Sequence, residues 1–186
     1  RSYPIVEAIL GKGVRFAQFD FRIAPPGAAG DCAMHFHRDR ALVPLNRRTE
    51  NPYQSGYLCA IYYLWDVHDC CPCFSVIPNS HTYPKLEEAQ AQMTNYQEVP
   101  IRGKAGTCIL YNIDIFHARV TGIDACTHGR RTQHTYYSHV TNQPLTYWML
   151  VPESLARHPD PVTREFYSQW TESMAEHAAE HFSTER

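Results

Sequence analysis

No apolar run in this 186-residue chain approaches the roughly 18 residues needed to cross a bilayer, which excludes a transmembrane helix. No charged-then-apolar leader opens it either, so the reading expects a cytoplasmic protein with no membrane partner. Basic clusters are equally scarce. The formal charge is −2, and the only adjacent arginines are Arg47-Arg48 and Arg130-Arg131. Two doublets do not make a phosphate-binding surface, so a nucleic-acid partner is excluded. The seven cysteines are odd in number and lack disulfide-rich spacing, which predicts mostly buried free thiols in a reducing compartment. In Cys70-Cys71-Pro72-Cys73 the spacing is adjacent and skip-one, not the C-x2-4-C of a structural zinc site. That cluster therefore reads as a cysteine-rich turn.

What remains is a folded globular composition, 44% hydrophobic and 19% charged, with enough residues for one domain and too few for two. Most of the chain reads as strand. Val14, Phe16, Phe19, Phe21 and Ile23 interleave with polar residues at roughly a period of two, until Pro25-Pro26-Gly27 ends the run. A short strand is predicted over Met34–Asp39. The polar stretch Leu42–Gly56 is a long loop of the kind that forms active-site lids. Tyr57–Val67 is a β-branched and aromatic strand with Cys73–Ile77 as its hairpin partner, and Lys85–Met93 is a short helix. Further strands are predicted near 98–101, 107–112, 132–140 and 146–151. Many short strands with little helix between them point to a mainly β jelly roll, its core spanning about residues 14–151. A C-terminal helix follows over about 160–183. Asp160 caps it, Pro161 starts it, and Val162, Phe166, Trp170, Met174, Ala178 and Phe182 form one apolar stripe. That stripe packs on the sheet or joins a second copy of the chain.

The chemistry concentrates at Met34-His35-Phe36-His37-Arg38-Asp39. On a strand, residues two apart share a face, so His37 and Asp39 present an imidazole and a carboxylate together. His117, at the end of the apolar run Leu110–Phe116, supplies a second imidazole. Two histidines and one carboxylate on three adjacent coordination positions suit non-haem iron(II), leaving three positions open for a chelating 2-oxo acid and dioxygen. A 2-oxoglutarate co-substrate further needs a cation for its distal carboxylate. Arginine suits this because its planar fork donates two parallel hydrogen bonds. Arg130 is favoured for the role and Arg131 is the rival; Thr132 shares the facing of Arg130 and adds a hydroxyl. His35 shares the facing of His37, and Tyr63 lies on the buried strand. Both are candidates to touch the co-substrate, with core or strand packing as their plain alternative. His134 is a candidate supporting residue on the Arg130 face.

These segments, taken in order, resemble the phytanoyl-CoA dioxygenase family of iron/2-oxoglutarate oxygenases. Phe21–Gly27 leading to His37-Arg38-Asp39 resembles that family's strand, Pro-Gly turn and H-x-D. Val76-Ile77-Pro78-Asn79-Ser80-His81 resembles its V-x-P-G-S-H, and Ala105-Gly106-Thr107 through His117 resembles its glycine turn, strand and distal histidine. Gly129-Arg130-Arg131 resembles its basic pair, the first arginine of which binds 2-oxoglutarate. The resemblance spans about residues 15–140.

It implies a double-stranded β-helix holding Fe(2+) at His37, Asp39 and His117. It also implies a dioxygenase that turns 2-oxoglutarate and O2 into succinate and CO2 while oxidising a C–H bond of a small-molecule substrate. Halogenating relatives replace the carboxylate by a small residue, so Asp39 implies hydroxylation or a related oxidation. Asn79 departs from the family's glycine, though asparagine tolerates a left-handed turn best among non-glycine residues. Ala118-Arg119-Val120 replaces a small, glycine-rich run, and the family's helical N-terminal region is read as lacking. Two alternatives carry less support. One is an inactive jelly-roll binding module, against which the intact H-x-D, distal histidine and arginine argue. The other is a cupin-type metal enzyme that does not use 2-oxoglutarate.

Overall fold

The computed structural model of the chain describes residues 2–26, 35–39, 56–122, 126–139, 145 and 151–168. In chain order the elements are α1 (Tyr3–Leu10), β1 (Val14–Ala24), β2 (Tyr57–Tyr63), β3 (Cys73–Val76), α2 (Leu86–Gln92), β4 (Val99–Ile101), β5 (Cys108–Asn112), β6 (His117–Val120), β7 (Arg130–His139), α3 (Glu153–Ala156) and α4 (Pro161–Phe166). The strands form a four-stranded sheet of order β1-β7-β2-β5 and a three-stranded sheet of order β4-β3-β6. This is the expected mainly β jelly roll, with short helices beside it. No helix among the described residues is long and apolar enough to cross a membrane.

The chain divides into two compact units. Arg1–Phe19, Leu42–Leu58 and Thr135–Arg186 form one; Asp20–Ala41 and Cys59–His134 form the other. In the first unit, α1 stands where the sequence reading placed no element. Pro4 sits in its first turn and Val6 and Leu10, one helical turn apart, are its buried residues. Asp160 caps α4 as expected, accepting from the Thr163 amide at 2.7 Å. Of the predicted stripe, Phe166 packs against Tyr3, Phe16 and Tyr137, with ring centroids 5.9, 6.2 and 6.2 Å away, while Val162 is exposed. The helix beyond Ser168, and the expected loop and strand at 42–55 and 146–150, lie outside the described residues.

The second unit contains the chemistry. Here β3 is the centre of its sheet, antiparallel to both β4 (Phe74↔Ile101) and β6 (Phe74↔Arg119, Val76↔His117). It is therefore not the hairpin partner of β2, as the sequence reading had it. All four of its residues are buried, and a central strand needs a neighbour on each edge, so the turn after β2 carries the chain into the other sheet. Strand β2 also stops at Tyr63; Leu64 and Trp65 are exposed, and Val67 forms only an isolated bridge to Gly103.

A second correction concerns β1. Phe21 and Ile23 are exposed (67% and 70%), and both Arg22 and Ile23 line one pocket. The apolar set changes parity between Phe16 and Phe19. From Gln18 to Ile23 no residue of the strand is fully buried, and burial returns only at Ala24.

The cysteines give the third correction. Among the described residues Cys70 and Cys126 form a disulfide, while Cys59, Cys71 and Cys73 are buried thiols and Cys108 is an exposed one. The cause is tertiary. A Cβ on Gly122 would meet the Cys70 carbonyl oxygen at 2.5 Å, so the segment after β6 lies directly on the turn before β3.

Candidate metal centre

Two backbone segments bring the candidate ligands together. His37 and His117 form an isolated antiparallel bridge, each amide donating to the other's carbonyl at 2.9 and 3.0 Å. This single bridge replaces the predicted strand over 34–39 in the described residues. It places the two imidazoles side by side, with ring centroids 4.6 Å apart. Asp39, two residues on, shares the facing of His37, and its Oδ1 lies 3.6 Å from His37 Nε2 and 3.3 Å from His117 Nε2. Ligand atoms at right angles around a metal, each about 2.1 Å from it, stand about 3 Å apart. The three residues therefore fit one ion with little movement.

The imidazole tautomers are also set. His37 Nδ1–H donates to the His35 carbonyl at 2.8 Å and His117 Nδ1–H to the Ile115 carbonyl at 2.9 Å. A carbonyl can only accept, so Nδ1 carries the proton in each ring and Nε2 offers its lone pair to the centre. The hydrogen bond with Asp39 raises the His37 pKa above its ordinary range, against the opposing effect of burial. Tyr111 donates its hydroxyl to Asp39 Oδ2 at 3.0 Å, leaving Oδ1 toward the histidines. Its ring packs edge-on to His117, centroids 5.1 Å apart.

A scaffold that the sequence reading missed braces both ligand segments. Ser80 is fully buried, and its Oγ accepts from the Phe116 amide at 2.8 Å. The Ser80 carbonyl accepts from Arg38 Nη2 at 2.8 Å, the Tyr83 carbonyl accepts from the same nitrogen, and the guanidinium lies 4.0 Å over the Phe116 ring. Arg38 stands between His37 and Asp39, and Phe116 directly precedes His117. The turn around Ser80 thus ties the two ligand-bearing segments to each other. Asn79 enters that turn with φ 64°, the left-handed conformation anticipated for it. The V-x-P-x-S-H resemblance was the available signal; what that serine does is visible only once Phe116 is beside it.

His37, His117, Tyr111, Arg22, Arg119 and Arg130 are among the residues lining one cleft. Arg130 is 4% exposed, and its Nε and Nη1 are buried with no hydrogen-bond partner. Burial lowers its pKa. Arg131 points the other way and is exposed, its guanidinium 3.8 Å over the Trp65 ring. Alternation along β7 thus turns Arg130 inward and Arg131 outward. Thr132 is fully buried on the Arg130 face and bonds through its hydroxyl to His134 Nε2 at 3.0 Å. Burial first, then Arg22 and Arg130, depress the His134 pKa to about 3, so that ring is neutral. With no charge to interpose, it sits beside two guanidinium groups. Tyr63 is buried and donates its hydroxyl to the Ile101 carbonyl at 2.5 Å; burial pushes its pKa up to about 12, so it keeps its proton. His35 is exposed and meets the centre through its backbone carbonyl.

On this jelly roll, two histidines and a carboxylate thus converge beside a cleft that a buried arginine also lines. The sequence matches the family described as Phytanoyl-CoA dioxygenase (PhyH) over residues 4–119, well over half its length. The chain belongs to this family.

Solved structures agree in fold. EctD from S. alaskensis, in complex with 2-oxoglutarate and 5-hydroxyectoine, is 22% identical with a TM-score of 0.59, covering 84% of this chain and 56% of its own. AviO1 from Streptomyces viridochromogenes Tue57 is 20% identical with a TM-score of 0.58, covering 76% and 58%. SnoN, a non-heme alpha ketoglutarate dependent epimerase from nogalamycin biosynthesis, is 18% identical with a TM-score of 0.57, covering 76% and 55%. This chain thus spans between half and three fifths of the length of these three proteins. No curated protein matches the sequence.

Proposed function

We propose that this chain is the catalytic jelly roll of an iron(II)- and 2-oxoglutarate-dependent oxygenase that oxidises a C–H bond of a small organic molecule. In this reading His37, Asp39 and His117 hold the iron, and Arg130 holds the distal carboxylate of 2-oxoglutarate. One observation carries it. Two Nε2 nitrogens and one carboxylate oxygen converge beside the cleft, while a buried guanidinium lining it keeps its Nε and Nη1 without partners. Buried donors are rarely left unmade, and an anionic ligand is what such a fork accepts.

Iron(II), when bound, supplies the oxidation: 2-oxoglutarate, O2 and R–H give succinate, CO2 and R–OH. The protein's part is positional. The His35 and Ile115 carbonyls hold both imidazoles in the ligating tautomer. Tyr111 occupies one oxygen of Asp39, so the carboxylate offers the other. The retained Asp39 favours hydroxylation or a related oxidation over halogenation. Arg130 aligns the dicarboxylate by two parallel hydrogen bonds, and Thr132 adds a hydroxyl on the same face. Neutral His134 keeps the Arg130 side of the cleft free of a further charge. EctD, a structural relative, was solved with 2-oxoglutarate and with iron, which supports the same pairing here.

The test is anaerobic addition of iron(II) and 2-oxoglutarate to the purified chain. A visible metal-to-ligand charge-transfer band is expected only when both are present, and it should disappear in His37→Ala and Arg130→Ala. A folded protein that shows no band would sink the assignment. A band that survives Arg130→Ala would move the co-substrate site elsewhere.

A further inference from the structure

Outside that cleft, the described residues contain one other group of converging ligand atoms: the sulfurs of Cys70, Cys71 and Cys126 all lie within 4.8 Å of one another. We propose that in their reduced form these three cysteines make a second metal site, selective for a thiophilic cation such as zinc(II) or copper(I).

The backbone builds the cluster. Cys70 and Cys71 are adjacent in the turn before β3, where the Cys71 amide donates to the His68 carbonyl at 3.0 Å. Cys126 arrives on the segment leading into β7. That segment is pressed onto the turn, since a Cβ on Gly122 would lie 2.5 Å from the Cys70 carbonyl oxygen and 2.9 Å from Pro72 Cδ. The Sγ atoms of Cys71 and Cys126 stand 3.7 Å apart. Two thiolates about 2.3 Å from a tetrahedral metal are separated by about 3.8 Å, so this pair already has the spacing of shared ligands.

Cys71 and Cys126 are buried at 0% and 5% exposure while Cys70 is half-buried, which leaves a way in for an ion. The donors are all sulfur, with no carboxylate or imidazole in the group, and soft thiolates select soft or borderline d10 ions over iron(II). Among the described residues the other thiols, Cys59, Cys73 and Cys108, are not part of it.

In the structure Cys70 and Cys126 are joined as a disulfide, so the site has two states. A dithiol reductant delivers two electrons and two protons to that bond and is itself oxidised to its cyclic disulfide. Metal then displaces the proton of each thiol it binds. Either state ties the same segment, four residues upstream of Arg130, to the turn before β3.

The experiment uses His37→Ala protein, so that the His-carboxylate centre does not contribute. The protein is reduced with a dithiol, desalted anaerobically and titrated with cadmium(II). The expected result is an ultraviolet thiolate-to-cadmium charge-transfer band saturating at one equivalent, displaced by zinc(II) or copper(I) and absent from the oxidised protein. Cys126→Ser should abolish it. Because a cysteine variant can fail to fold, alkylation followed by peptide mapping is run with all cysteines intact. Cadmium should protect Cys70, Cys71 and Cys126 together and leave Cys108 labelled. No band, or protection that omits any one of the three, overturns the proposal.

Discussion

The Tyr111 hydroxyl donates to Asp39 Oδ2 at 3.0 Å while Asp39 Oδ1 faces both His37 and His117 Nε2. One phenol thus divides the carboxylate into a held oxygen and an offered one. Groups that orient a ligand in this way usually contribute 10–100-fold to metal affinity. Tyr111→Phe keeps the ring contacts with Phe74 and His117 and removes only the donor. Cobalt(II) or iron(II) affinity should fall by about 10–100-fold with the thermal midpoint nearly unchanged. Calorimetric titration under anaerobic conditions measures the first, and a melt measures the second. Equal affinities in the two proteins would mean that Asp39 is positioned by other groups.

Arg130 should matter for ligand rather than for fold. A buried fork with two unmade hydrogen bonds costs stability until an anion arrives. Metal-loaded wild-type protein should gain about 2.7 kcal/mol from 2-oxoglutarate at a hundred times its dissociation constant. Arg130→Met should gain nothing, and the ligand-free variant should melt no lower than wild type. A lower melt would show that the guanidinium serves the core instead.

Ser80→Ala leaves the buried Phe116 amide without its acceptor. The expected loss is about 1–3 kcal/mol in urea unfolding, the usual penalty for an orphaned buried donor. Metal affinity should fall with it, since Phe116 adjoins His117. Ser80→Thr, which retains the hydroxyl, should recover part of both losses. Stability lost without any change in metal binding would confine Ser80 to a structural role.

His134 gives the pH dependence a sign. Its pKa is about 3 in the folded protein and about 6.5 in an unfolded chain, so the unfolded state takes up the proton first. The stability it contributes is fully present above about pH 6.5 and is lost as pH falls toward the folded value, with a slope of up to about 1.4 kcal/mol per unit. His134→Gln does not titrate. The stability gap between wild type and H134Q should therefore shift in the variant's favour between about pH 6.5 and 4.5, before most carboxylates protonate. Parallel unfolding curves across that window would show that His134 charges without penalty.

Period and punctuation were enough for much of the fold. β1, α2, β5 and β7 fall within two residues of the spans that alternation and turn residues predict. The H-x-D pair, the distal histidine and the arginine doublet were legible because they are short-range patterns of the chain. Pairing was not legible: β2 and β3 follow one another yet belong to different sheets, since pairing depends on which face each strand buries after the turn. Nor was the half-buried place of Arg22 between exposed Phe21 and Ile23, because a period of two does not tell which face of a strand the rest of the fold covers.

By itself, then, the sequence determined the residue types that can do the chemistry and the strands that carry them, because both are local properties of the chain. Tertiary structure alone decided the rest. It buried Arg130 and stacked Arg131 on Trp65. It set Tyr111 on Asp39 and Ser80 under Phe116, and it brought Cys126 to Cys70 and Cys71. Each of these depends on residues far apart in sequence meeting within a few ångströms, and no local periodicity encodes such a meeting.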